Sequence, residues 1–338
     1  MKVILFLFIL IGFYFIFEVL KNKENFTIYK SEKEFYLAKN RFPKVGIVST
    51  IKNPHHLEFW INYHQKIGID KFYLFDDDNQ SVLKTGNNIK RYVYNDDYLE
   101  KLKECSLFIK FGPSFKEEVM SRQILNCQIA LKDAELDGID WLLHIDADEL
   151  LYFEKKDGEY ETIGSRLMDV PKNIDWLIIL NYEVLVDKEN ADNCFTDLSF
   201  FRNRKKASKF KAYGNGKGLC RVKKEMEPAG VHEFYNNKLD KDRHMILAHT
   251  QILHFCSCRF DDWKLKYENL GDFPDHYWNL PSNNKVFDFH AKSRDIRNDD
   301  FDKKKQFYKN EFVLSNEEIK IMMDDGVAEK VDVKKWVL

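Results

Sequence analysis

The sequence predicts an α/β protein with a mixed central sheet flanked by helices, and three observations carry that prediction. The first is a strand–helix–strand unit near the N-terminus. Val45 to Thr50 (VGIVST) reads as a short buried strand. HLEFWINYHQKI, residues 56–67, has apolar residues at 57, 60, 61, 63 and 67, which is helical spacing. Gly68 follows where a helix C-cap is expected. KFYLF, residues 71–75, is a second strand that runs into Asp76, Asp77 and Asp78. The second observation is a long amphipathic helix over 116–136, ended near Gly138 and followed by the strand WLLHI, 141–145. The third is a series of short apolar runs at 88–94, 176–180, 219–222 and 251–255, each of strand length. In sheets of this grammar, ligands sit at the carboxyl ends of the strands.

The remaining elements follow in order. Residues 1–20 (MKVILFLFILIGFYFIFEVL) carry no charge between Lys2 and Glu18. As a helix this run spans roughly 25–27 Å, close to a bilayer core. With no small-x-small cleavage site before Lys21, an uncleaved single-pass membrane anchor is expected ahead of a cleaved signal peptide. Residues 21–43 read as a Lys/Glu/Asn-rich stalk, 44–298 as the main domain, and 299–338 as a charged helical extension. Between them, 205–218 (KKASKFKAYGNGKG) is a basic, glycine-rich loop.

With 53 basic and 55 acidic residues, the chain has no global basic field, so nucleic acid is not an expected partner. Its six cysteines show no CxxC spacing, which excludes the usual zinc knuckles. The even count permits disulfides if the domain is lumenal. Cys256 and Cys258 read as structural.

The chemistry concentrates in WLLHIDADELLYF, 141–153, where Asp146, Asp148 and Glu149 interrupt an otherwise apolar run. Unpaired buried charge costs several kcal/mol, so such groups are paired or hold a metal. Carboxylates projecting from a strand end suit a hard divalent ion, Mn²⁺ or Mg²⁺, that also takes phosphate oxygens.

Four blocks, in order, resemble glycosyltransferase family 92 and the neighbouring family 2-like enzymes of GT-A (Rossmann-like) fold. IKNPHHLEFWINYHQKIGIDKFYLFDDDNQS is similar to their first block, and RQILNCQIALKDAELDGIDWLLHIDADELL to their second, centred on a metal-binding Asp-x-Asp. YGNGKGLCRV with GVHEF is similar to the third, and ILHFCSCRFDDWKLKYENLGDF with FHAKSRD to the last. The chain departs from the first block at Asn53-Pro54, where Asn-Glu is usual, and at Phe59, where Glu precedes the Trp.

The resemblance implies transfer of a sugar from a nucleotide diphosphate sugar, most readily a UDP-sugar, to a glycan or glycoprotein hydroxyl with inversion. It implies that Asp146 and Asp148 hold the divalent ion, with Asp146 also near the nucleotide. Asp76 would meet the nucleoside, and either His254 or His232 would complete the metal shell. Lys217 and Arg221, both near the glycine-rich turn, are candidate phosphate contacts. Arg122 and Gln123 match the second block and fit a role in orienting the long helix. Glu183, Asp187, Glu233 and Asp261 remain equal candidates for the general base. Two alternatives stand beside this reading. One is a non-catalytic sugar- or protein-binding relative, motivated by the departures. The other is a phosphohydrolase with Asp146 as nucleophile.

Overall fold

The computed structural model describes residues 32–79, 86–153, 162–238, 243–271 and 288–336. The expected anchor and residues 21–31 of the stalk lie outside the described residues. Among the described residues, no helix is long and apolar enough to cross a membrane.

Val45–Ile51 (β1), Lys71–Asp76 (β2), Ile89–Val93 (β3) and Trp141–His144 (β4) are mutually parallel. Glu149–Phe153 (β5) follows at once, then Trp176–Ile179 (β6), Asn181–Val184 (β7) and Phe200–Arg202 (β8). Lys217–Arg221 (β9) precedes a small antiparallel hairpin, Met226–Pro228 (β10) and Phe234–Asn236 (β11). His244–Ile246 (β12), Thr250–His254 (β13) and Ala328–Lys330 (β14) complete the strands.

Two sheets share these strands. The larger runs β12-β6-β9-β4-β1-β2-β3, with β9 antiparallel to both of its neighbours. The smaller runs β14-β8-β7-β13-β5. The larger sheet is buried on both faces, and its strands show it by alternation. Phe72 and Leu74 join one core with Trp60 and Leu143. Tyr73 and Phe75 join the other with Leu125, Ile129 and Leu142, beneath the helix Val119–Leu136.

The acidic tract does not end a strand in the simple way expected. The chain leaves the large sheet after His144, crosses at 145–148, and enters the small sheet as β5 at Glu149. The carboxylates therefore mark a junction between two sheets. β5 lies at the edge of its sheet, where backbone groups lack strand partners. The helix Leu57–Lys66 supplies partners in their place. Trp60 Nε1 donates to Glu149 O at 2.7 Å, and Tyr63 Oη donates to Leu151 O at 3.0 Å. The Leu151 amide donates to His64 Nε2 at 3.2 Å, while His64 Nδ1 donates to Trp60 O. Burial pushes the His64 imidazole down to about 3, so it stays neutral and keeps the tautomer this relay needs.

The C-terminal segment from 299 has the expected helices at Phe301–Phe312 and Asn316–Asp324. It also adds β14 to the small sheet beside β8, and buries Tyr308, Phe312 and Trp336 in the common core.

Candidate functional site

A cavity of about 920 Å³ opens at the carboxyl ends of β1 and β4. Its walls include Asp146, Asp148, Lys217, His232 and His254, so five of the seven residues expected to meet the ion or the nucleotide come together there. Asp76 and Arg221 are not among its lining residues.

Register explains the convergence. β4 and β9 are antiparallel with Leu143 opposite Leu219, which carries Lys217, two residues earlier, alongside the start of the acidic crossing. Gly216 makes that entry with φ +81°, and a Cβ there would stand 2.4 Å from Ile179 O. In the small sheet, β13 pairs His254 with Glu149 across β5.

Lys217 is a buried counter-ion. It is 1% exposed, and its ammonium donates to Asp146 Oδ2 at 2.6 Å and lies 3.4 Å from Glu149 Oε2. Burial would lower its pKa, but Asp146 and Glu149 raise it further, so it stays charged. Asp146 Oδ1 is taken by Gln123 Nε2 at 2.6 Å. Glu149 accepts the Asp146 amide at 2.8 Å and the Tyr213 hydroxyl. Burial pushes the Glu149 carboxyl up, partly offset by Lys217.

Asp148 differs. Its side chain is 40% exposed to the cavity, and Oδ2 lies 3.5 Å from His254 Nε2. Enclosure would raise its pKa, but the His254 imidazole holds it well below the usual carboxylate range. Burial would lower His254, and Asp148 outweighs burial and raises it. Donor atoms of Asp148, Glu149 and His254 all lie within 4.8 Å of one another.

Of the two competing histidines, His254 stands at a carboxylate. His232 donates Nδ1 to Gly216 O at 2.7 Å and packs 4.6 Å from the Tyr213 ring. Burial, helped by Lys217, pushes it down to about 3. Arg221 sits at the far end of β9, tied to Ile174 O at 2.7 Å and stacked 4.3 Å over Trp141. Asp76, 2% exposed, turns to Arg91 on β3, with Nε 3.0 Å away. Its neighbour Asp77 lines the cavity instead and pairs with Arg122 at 2.8 Å. None of Glu183, Asp187, Glu233 and Asp261 lines the cavity. Glu183 is capped by the amides of Lys211 and Ala212.

Sequence reasoning missed Tyr213, whose ring lies between the two histidines at 4.6 and 4.9 Å. Its signal in the sequence was that it opens the third family-like block, YGNGKGLCRV. It also missed the disulfide Cys194–Cys258, both halves of which line the cavity.

The donor set fits a hard divalent cation. Asp148 and His254 supply oxygen and nitrogen 3.5 Å apart. Two ligands about 2.1 Å from one ion stand roughly 3 Å apart in octahedral geometry, so little movement is needed. With His254 neutral, three carboxylates against one ammonium leave two negative charges, the complement of a divalent ion.

The fold and site together define an α/β protein with a cavity at its strand ends that carries a cluster of charged side chains. The profile of glycosyltransferase family 92 matches residues 49–317, and the chain belongs to that family. It is similar to two glycosyltransferase-like proteins of Arabidopsis thaliana. One is 29% identical, covering 64% of this chain and 54% of the relative, and the other 27% identical, covering 64% and 47%. The chain thus spans about half the length of the curated relatives it matches.

Proposed function

We propose that the protein is a metal-dependent glycosyltransferase of GT-A type, which moves a sugar from a nucleotide diphosphate sugar, a UDP-sugar first, to a glycan or glycoprotein hydroxyl with inversion. The observation that carries this reading is the open Asp148 carboxylate beside the buried His254 imidazole, at the strand ends of a cavity large enough for a nucleotide sugar. Asp148 and His254 would hold Mn²⁺ or Mg²⁺. The bound ion would neutralise the diphosphate as it leaves.

The chain's own residues build the rest. Lys217 and Gln123 occupy both oxygens of Asp146, fixing the crossing that presents Asp148. In this reading Asp146 supports the ion site and is an outer neighbour of the nucleotide. The family match counts against the phosphohydrolase alternative. In the transfer, the acceptor oxygen bonds to the anomeric carbon, the bond to the diphosphate breaks, and the hydroxyl proton goes to a base. The Cys194–Cys258 disulfide supports an oxidising, lumenal location, in keeping with an anchor over residues 1–20.

The test is donor turnover across a panel of nucleotide sugars, with Mn²⁺ and with chelator. Asp148→Asn should reduce turnover of the accepted donor at least about 100-fold with the thermal transition unchanged. Full turnover in that variant, or in chelator, would remove the metal from the mechanism. Tight donor binding without transfer to any acceptor would favour the non-catalytic alternative.

A further inference from the structure

The geometry points to Lys266 as the cation that receives the donor's diphosphate, an assignment that rests on the nucleotide-sugar reading above. The two basic residues that the sequence offered for this role are otherwise engaged. Lys217 is buried between Asp146 and Glu149, and Arg221 is tied to backbone carbonyls at the far end of β9. A leaving diphosphate still needs positive charge beyond the divalent ion.

The helix Phe260–Leu270 supplies it. Asp262, Leu265, Lys266 and Asn269 recur at helical spacing and all line the cavity. Asp262 is neutralised locally, because Arg259 donates to it at 2.6 and 2.9 Å and His55 Nε2 lies 3.2 Å away. Lys264, off the cavity wall, pairs with Glu268 at 3.8 Å. Lys266, half-buried, has no carboxylate within ion-pair distance among the described residues. It lines the same cavity as Asp148, His254 and His290. With no carboxylate partner among the described residues, this ammonium is available to an anion in the cavity. Lysine binds phosphate as a mobile point charge, which suits a group that must let go after transfer. Lys266 and an ion on Asp148 and His254 would bracket the same diphosphate from two sides.

The experiment compares UDP with UMP by calorimetry on the full chain in Mn²⁺. The unaltered protein should bind UDP more tightly than UMP. Lys266→Ala should weaken UDP about 10- to 100-fold, the loss of one charge-assisted contact, and leave UMP within about twofold. Lys266→Arg should restore most of the UDP affinity, and Lys264→Ala should change neither ligand. Equal loss of UDP and UMP in Lys266→Ala, or no loss of either, would overturn the assignment and leave the donor reading standing. Unaltered protein that binds neither nucleotide would overturn the donor reading, and this assignment with it.

Discussion

Lys217→Met separates a structural ammonium from a substrate-binding one. The side chain has nearly the same length, so the substitution removes charge and leaves packing largely intact. At an effective dielectric near 20, contacts of 2.6 Å to Asp146 and 3.4 Å to Glu149 correspond to gross attractions of about 6 and about 5 kcal/mol. Desolvation of the three groups offsets most of this. What the variant exposes is a buried Glu149 carboxylate, 0% exposed, without its cation. Breaking one partner of such a group costs about 3–5 kcal/mol. For a chain of this size, roughly 2 °C per kcal/mol gives a fall in Tm of about 6–10 °C. Thermal unfolding followed by circular dichroism reads it directly. Adding Glu149→Gln to Lys217→Met should recover about half or more of the loss, because the orphaned charge is gone. If Lys217→Met kept full stability and lost only nucleotide affinity, the counter-ion argument would be wrong and the phosphate role restored.

The same contacts set three further outcomes. Burial lowers His254 and Asp148 outweighs it, so the imidazole is raised above its ordinary value. Without metal, the stability from that pair is complete below the ordinary histidine pKa and is lost as pH rises through the raised one. Metal needs the unprotonated ring, so Mn²⁺ affinity should climb by up to about tenfold per pH unit below that value, and His254→Gln should flatten the slope in calorimetric titrations. Trp60→Phe removes the indole donor to Glu149 O and leaves a buried carbonyl unpaired; urea unfolding should register a loss of about 2–4 kcal/mol, and no change would mean that β5 does not need this brace. Cys194 and Cys258 are 64 residues apart, and the double Ser variant should lose about 2–4 kcal/mol; a reductant should shift the parent protein's unfolding midpoint equally and leave the variant's unmoved.

Much of the fold was legible in the sequence because strand and helix periodicities are local. VGIVST, KFYLF and WLLHI each carry enough apolar residues to require burial on both faces, which only a covered sheet provides. The helical spacing in HLEFWINYHQKI likewise marked the segment that became Leu57–Lys66. The placement of Asp146 and Asp148 just beyond an apolar strand followed from the same logic, since charge cannot sit inside it.

What only the tertiary structure decided were the partners. Whether Lys217 meets solvent or carboxylates depends on the antiparallel register of β9 against β4, which joins residues 71 apart in the chain. The pairing of β13 with β5 brings His254 to the acidic crossing, and at the β2 terminus Asp77, not Asp76, lines the cavity. Lys266 became visible as a cation with no carboxylate partner among the described residues only once Arg259 and Glu268 were seen to pair with Asp262 and Lys264. Periodicity reports which face of an element is buried. It carries no record of which distant side chain arrives opposite, because that is set by sheet register and the crossing between sheets, and these are properties of the whole chain.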